Sequence, residues 1–208
     1  GHLPTPMPVV LGHEGAGIVE AVGADVTKVK VGDSVVMTYN TCGSCPSCRD
    51  NAMAYCYEFF PRNFFATRPD GTVALSGDKG AIHSNFFGQS SWATYALAHE
   101  RNVVKVDASK DDLALMGPLA CGIQTGAGTV MNALKVQAGK SFVCFGTGSV
   151  GLAAIMAAKV EGASTIIAVD MHGSRLALAK ELGATHGILA TSDNVVAMRR
   201  TLLIATIA

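Results

Sequence analysis

Four cysteines fall within fifteen residues of this 208-residue chain: Cys42-Gly-Ser-Cys45-Pro-Ser-Cys48, then, after seven residues, Cys56. Four thiolates can close a tetrahedral Zn2+ shell, and two-residue gaps let a turn aim neighbouring sulfurs at one ion. Gly43, Ser44, Pro46 and Ser47 supply the turn chemistry such a loop needs. With every ligand position taken by sulfur, no place is left for water or substrate, so the expected role is structural. Four thiolates around a dication leave net negative charge, which Arg49 is expected to offset in part. Two disulfides are the alternative use of the same residues. The chain opens Gly1-His2-Leu3-Pro4, which reads as neither a signal nor a transit peptide. The expectation is therefore a metal site in a reducing compartment, the cytoplasm.

A second constellation is Gly146-Thr-Gly148-Ser-Val-Gly151, directly after the apolar run Ser141–Phe145 and at the start of an Ala-rich helical run. A glycine triplet alone is weak evidence, but this one has strand before it and helix after it. Gly146 permits a tight turn, Gly148 lets backbone approach a pyrophosphate, and Gly151 lets helix pack on strand. The helix N-terminus offers free N–H groups to the anion. Asp170 follows 19 residues beyond Gly151, at the end of the next apolar run. There a carboxylate can accept hydrogen bonds from the adenosine ribose and repel a 2′-phosphate, which favours NAD over NADP. Cys144, inside the first run, reads as a core residue.

A third is Gly12-His13-Glu14-Gly15-Ala16-Gly17, a His among glycines at the opening of a strand. Taken alone, a His beside a Glu is more often structural than catalytic; a zinc loop and a dinucleotide turn in the same chain shift that balance.

The elements that must hold these residues fall into two textures. The first hundred residues are Gly-rich, with short β-branched runs such as Gly17–Gly23 and Asp33–Met37, which suggests a barrel or a strongly bent sheet. Tyr57–Ser91 reads as irregular and aromatic, with Phe59, Phe60, Phe64, Phe65, Phe86 and Phe87 as core and pocket lining. From Ser109 helical patterns begin at Asp111-Asp112, break at Gly117-Pro118, and resume through Thr129, Val130 and Leu134. Beyond Ser141 the order is strand, turn, helix Val150–Val160, strand Thr165–Val169, helix Ser174–Leu182 closed by Gly183, an alternation that implies a parallel sheet. The boundary falls near residue 122. Ser141–Ala158 is uncharged for 18 residues, but its three central glycines favour a buried strand turning into a buried helix over a membrane span. Sixteen basic and sixteen acidic residues give no net charge, and no basic cluster exceeds Arg199-Arg200, which argues against a nucleic-acid partner.

GHEGAGIVEAVG, from Gly12 to Gly23, resembles the signature of the zinc-containing medium-chain alcohol dehydrogenases, and the spacing of Cys42, Cys45, Cys48 and Cys56 is similar to that family's structural zinc lobe. Gly117-Pro-Leu-Ala-Cys121-Gly-Ile-Gln-Thr125-Gly resembles its second catalytic-zinc segment, and Phe86–Tyr95 looks closest to the aryl (benzyl-type) members, though glutathione-dependent formaldehyde dehydrogenases share part of that run. The resemblance extends to about Leu189. It implies an α/β fold with a β-rich part: a GroES-like barrel-type catalytic domain over 1–122, then an incomplete Rossmann domain, a doubly wound parallel sheet, over 123–208. His13 and Cys121 would be two of three protein ligands to a catalytic zinc, with Glu14 just behind it. Thr125 and Val150 would touch the nicotinamide end, and Arg175 would lie near the adenosine. The activity implied is hydride transfer from a primary, aromatic alcohol to NAD, giving the aldehyde, with two Zn2+ per full-length subunit. Partners implied are the alcohol and aldehyde and a homo-oligomer, dimer or tetramer, with neither nucleic acid nor membrane.

Departures from the pattern shape further expectations. The family's other catalytic-zinc Cys and its proton relay lie upstream of His13, where twelve residues cannot hold them, so the chain is expected to be truncated and inactive alone. Asn194–Ala208 loses the family pattern, although Leu202–Ile207 could be a strand. A formaldehyde or polyol dehydrogenase of the same superfamily is the alternative enzyme. A non-catalytic zinc- and nucleotide-binding module is the alternative of another class, which has no use for both His13 and Cys121. His2, His83, His99, His172 and His186 read as surface or turn residues, with His172 closest to the adenosine.

Overall fold

The computed structural model describes residues 5–190, and the chain divides into two compact units, residues 1–121 and 122–208. His2 and the expected Leu202–Ile207 strand lie outside the described residues.

In the first unit, β1 (Ala16–Ile18) and β2 (Ser34–Met37) pair antiparallel, with Ala16 opposite Val36. Three short elements then pack around the cysteine loop and the aromatic stretch: α1 (Pro46–Arg49), a 3-10 turn at Met53–Tyr55, and α2 (Phe59–Phe64). Strands β3 (Leu75–Gly77) and β4 (Gly80–Ile82) form a separate hairpin. β5 (Val103–Lys105) completes a three-stranded sheet in the order β1-β2-β5, with Val36 opposite Val104. Val35, Val36, Val103 and Leu113 of α3 (Lys110–Met116) are its buried apolar side chains. α3 begins where a helix should: the Ser109 hydroxyl accepts the Asp112 N–H at 3.1 Å, and Asp111 and Asp112 lie in the first turn. Tyr57–Ser91 was expected to be irregular; the structure puts α2 and the β3–β4 hairpin there. Elements of three to six residues leave no periodicity to detect.

The second unit opens with α4 (Gly122–Gly128), which continues as a π-helical segment, Thr129–Leu134. β6 (Ser141–Phe145), α5 (Ser149–Val160), β7 (Thr165–Asp170), α6 (Gly173–Leu182) and β8 (His186–Leu189) follow. The three strands are parallel in the order β6-β7-β8, with Val143 beside Ile167 and Ile167 beside His186. A central parallel strand must be apolar on both faces. Accordingly Ile166 and Ala168 join one cluster with Phe142, Ile155, Ala158 and Ala179, while Ile167 and Val169 join Ile188 on the opposite face. Burying Ile155, Ile166 and Ile167 contributes roughly 1.5–3 kcal/mol each. α4 lies close against α5 because Gly122 and Gly126 face it: a Cβ on Gly126 would run into the Val150 carbonyl oxygen and approach Ala153 at 2.8 Å. The uncharged run Ser141–Ala158 is thus β6, the glycine turn and most of α5. Among the described residues no single helix is long and apolar enough to cross a membrane.

Candidate metal centres and dinucleotide turn

The ligand atoms of Cys42, Cys45, Cys48 and Cys56 all lie within 4.8 Å of one another. The Cys42 and Cys48 sulfurs are 3.8 Å apart, and all six cysteines are free thiols. Zn–S bonds of about 2.3 Å at tetrahedral angles put sulfurs roughly 3.8 Å apart, so the cluster fits zinc and excludes the disulfide alternative, which needs about 2.05 Å. Backbone donors already point at the sulfurs: Cys45 N–H and Ser44 N–H donate to Cys42 Sγ at 3.2 and 3.4 Å, and Cys42 N–H to Cys56 Sγ at 3.3 Å. The N–H groups of Ser44 and Cys45 bring the Cys42 thiol down to about 6, whereas burial pushes Cys48 up to about 12. Four packed thiols cannot all ionise in a dry site without a cation, and a dication reverses that logic. Arg49, expected to offset the charge, is exposed. The cation against the loop is Arg101: it donates to the Thr41 carbonyl at 3.4 Å, and its side chain would stand 3.0 Å from a Cβ on Gly43.

His13 Nε2 lies 3.1 Å from Cys121 Sγ, and a Glu14 carboxylate oxygen shares the same 4.8 Å neighbourhood. Tetrahedral ligand lengths of about 2.1 and 2.3 Å set such a pair roughly 3.6 Å apart, which a small side-chain rotation reaches. The meeting depends on glycines. A Cβ on Gly117 would run into the Glu14 carbonyl oxygen, so only glycine lets the 3-10 turn Gly117–Ala120 fold beside residues 13 and 14 and deliver Cys121. Gly12, at φ +100°, leaves no room for a side chain against Trp92. Burial, and then the Glu14 carboxylate, raise the Cys121 thiol above its ordinary value. Phe87 tilts over the imidazole with ring centres 4.8 Å apart, Phe86 meets its edge at 6.2 Å, and Phe64 stands 5.2 Å behind Phe87. Phe60 and Phe65, expected in the core or pocket lining, are instead exposed.

Two residues that carry this geometry were not singled out from the sequence. Gln89, nearly fully buried, hydrogen-bonds the backbone of His13 and Gly15, and Asn102, wholly buried, donates to the Phe87 carbonyl at 3.1 Å. The only local hint is an amide among aromatic and small residues.

In the second unit the turn Gly146–Gly148 joins β6 to α5, whose first residues include Gly151. Gly146 sits at φ +86°, and a Cβ on Gly148 would stand in open space before the first turn of α5, which no side chain caps. Space and uncapped N–H groups together suit a diphosphate. Gly151 has a different reason to be glycine: a Cβ there would run into the Gly146 carbonyl oxygen and reach Cys144 Sγ at 3.1 Å. Asp170 is more engaged than its sequence position reveals. Its Oδ2 accepts the Thr147 N–H at 2.7 Å and the Thr147 hydroxyl at 2.8 Å, and its Oδ1 accepts the His172 N–H at 2.9 Å. These donors, Thr147 N–H first, hold the carboxyl down at about 2. A lone pair on Oδ1 remains for a ribose hydroxyl. Thr125 and Val150 are exposed, on α4 and α5, and Arg175 is exposed in the first turn of α6, where its charge favours the Asp170 carboxylate. His99, His172 and His186 are exposed, and none of them belongs to either cluster of candidate metal ligands.

Comparison with known proteins agrees with this geometry. The family model described as alcohol dehydrogenase GroES-like domain matches residues 1–108, just over half the chain, and the one described as zinc-binding dehydrogenase matches residues 149–203. A Pseudomonas protein named a probable alcohol dehydrogenase is 50% identical over 198 residues, covering 94% of this chain and 62% of its own length. Geraniol dehydrogenase of Castellaniella defragrans is 48% identical over 188 residues, 89% of this chain and 50% of that enzyme. The crystal structure of benzyl alcohol dehydrogenase from Acinetobacter calcoaceticus superposes with a TM-score of 0.87 at 55% identity, covering 95% of this chain and 53% of that one. The chain therefore spans between half and two thirds of the length of these relatives. With the GroES-like model matched over more than half the chain and the zinc-binding dehydrogenase model over residues 149–203, the chain belongs to the zinc-containing medium-chain alcohol dehydrogenase family.

Proposed function

We propose that the protein carrying this chain is a zinc-dependent oxidoreductase that takes a hydride from a primary alcohol to NAD, and that its preferred alcohols carry the CH2OH group on an sp2 carbon, aromatic above all. In this reading residues 1–122 are the zinc-binding catalytic domain and 123–208 the NAD-binding domain. The observation that carries it is the His13–Cys121 pair at 3.1 Å beneath the Phe87 ring. The chemistry that zinc and NAD supply when bound is Lewis-acid polarisation of the alcohol oxygen and acceptance of the hydride.

The chain's own residues do the rest. His13 and Cys121 fix the position of the ion, and Glu14 adds a negative charge beside it. Phe87, Phe86 and Phe64 offer ring faces and edges to an unsaturated substrate next to the reacting carbon. Benzyl alcohol and geraniol, the alcohols in the names of two relatives, share a CH2OH on an sp2 carbon. A polyol or a glutathione adduct would ask for polar groups where these rings stand. In the nucleotide unit, Gly146, Gly148 and the uncapped turn of α5 receive the diphosphate, and Asp170, ionised across the neutral range, accepts from the adenosine ribose while repelling a 2′-phosphate. Six reduced thiols suit a cytoplasmic enzyme, and the same reading takes it as a homo-oligomer, checked by sedimentation.

The test is steady-state oxidation with NAD by the protein carrying this chain. Higher kcat/KM for benzyl alcohol and geraniol than for ethanol, sorbitol or S-hydroxymethylglutathione supports the reading. A preference for either of the last two overturns it.

A further inference from the structure

Gln89 touches no candidate ligand atom, yet it holds the backbone that carries one. It is 1% exposed. Its Oε1 accepts the Gly15 N–H at 3.1 Å, and its Nε2 donates to the His13 carbonyl at 3.0 Å and the Thr38 carbonyl at 3.2 Å. Both amide protons and the acceptor are used, so the side chain has one satisfied orientation. Breaking that pattern in a dry interior leaves polar groups without partners.

His13 sits between Gly12 and Gly15, residues with the greatest backbone freedom. Backbone bonds hold the two ends of this stretch, Ser91 N–H to the Gly12 carbonyl at 3.1 Å and Met37 N–H to the Gly15 carbonyl at 2.8 Å. The Gln89 amide adds the bonds to the His13 carbonyl and the Gly15 N–H. Gly15 has no room for a side chain: a Cβ there would run into the Met37 Cε and stand 2.7 Å from Ser91 Cβ and 2.8 Å from Gln89 Oε1.

The segment bearing Gln89 is itself held in an uncommon conformation. Asn85, Phe87 and Ser90 have φ of 136°, 53° and 47°, and Gly88 between them has φ +66°. Non-glycine residues persist there only where surroundings over-determine them. Here the Ser90 hydroxyl accepts the Asn85 and Phe86 N–H groups at 2.8 and 2.9 Å and donates to the Val10 carbonyl at 2.6 Å, while Asn102 donates to the Phe87 carbonyl. The outcome of this arrangement is that the Phe87 ring and the Gln89 amide both reach His13.

We infer that Gln89 is a positioning residue for the metal ligand His13: by pinning the His13–Gly15 backbone to Thr38 it aims the imidazole at Cys121, and so sets the metal affinity of that pair. The inference rests on the reading that His13 and Cys121 share a metal. Outer partners that orient a ligand are worth about 10- to 100-fold in metal affinity.

The test loads the four-cysteine loop with zinc and then titrates Co2+, following thiolate-to-cobalt charge-transfer absorption, alongside thermal unfolding. Gln89→Met keeps length and bulk and removes all three hydrogen bonds. It should weaken cobalt binding by about 10- to 100-fold. The control is Asn63→Leu, which removes another wholly buried amide, one bonded to the backbone of Asn40 and Phe59. It should lower the unfolding temperature and leave cobalt affinity unchanged. If Gln89→Met does not fold, Gln89→Asn, whose amide stops one methylene short, decides on the same readout. Parent-like cobalt affinity in the folded Gln89 variant overturns the inference alone, as does equal weakening by Asn63→Leu. A parent protein that takes up no cobalt overturns the shared-metal reading, and the inference with it.

Discussion

The imidazole Nε2 of His13 and the thiol of Cys121 lie 3.1 Å apart although 108 positions separate them in the chain. One glycine makes this possible: Gly117 packs without a side chain against the Glu14 carbonyl, and the turn that follows carries Cys121 to His13. Gly117→Ala should therefore cost roughly 1–3 kcal/mol of stability, by overpacking, and weaken metal binding at the pair. Chemical unfolding and metal titration of the variant check both; a parent-like protein by both measures contradicts the account.

The cysteine loop should behave as a folding element as much as a metal site. Cys45→Ser leaves three thiolates and should lower the unfolding temperature of the first unit, as should a strong chelator added to the parent. Calorimetry with and without chelator distinguishes the cases: the chelator should shift the parent strongly and the variant little. An unchanged parent transition would rule out a structural zinc.

In the proposed reading, Asp170 sets cofactor choice from the turn it braces through Thr147. Asp170→Ser should raise kcat/KM with NADP relative to NAD by removing the repulsion of a 2′-phosphate, and loosen the turn through loss of the Thr147 bonds. Its folded pKa of about 2 lies below the ordinary carboxylate value, so the stabilisation it gives is fully present above the unfolded pKa, near 4. It is lost as pH falls from there towards 2. In acid titrations followed by circular dichroism, Asp170→Asn should flatten the decline in that window. An equal decline in both proteins would mean Asp170 has no such role.

Phe87→Ala removes the ring over His13 and should reduce the preference for benzyl alcohol over ethanol by about tenfold, the scale of an aromatic contact. Competition kinetics with the two alcohols read this directly. A preference that survives intact would locate substrate recognition elsewhere.

What the sequence revealed follows from how local each signal is. The four cysteines are legible because a single loop sets their spacing, and β7 because a buried parallel strand reads as an unbroken apolar run from Thr165 to Val169. β8 escaped because His186 and Gly187 dilute its pattern over four residues. The pairing of His13 with Cys121 rests on no spacing rule; the likeness to a family suggested it, and the packing of Gly117 explains it. Gln89 was illegible in principle: nothing near it in sequence indicates that its amide faces backbone 76 positions away. Arg101 against the cysteine loop is the same case, since only the folded chain brings it to Gly43.

The protein carrying this chain should hold two separate zinc ions, one on four thiolates and one around His13 and Cys121. Its zinc content per chain, measured by plasma mass spectrometry beside its Cys121→Ser and Cys45→Ser variants, tests that most directly. The parent should carry two zinc ions and each variant about one, with unfolding temperature falling far more in Cys45→Ser. A Cys121→Ser variant that keeps the full parental zinc content would contradict this.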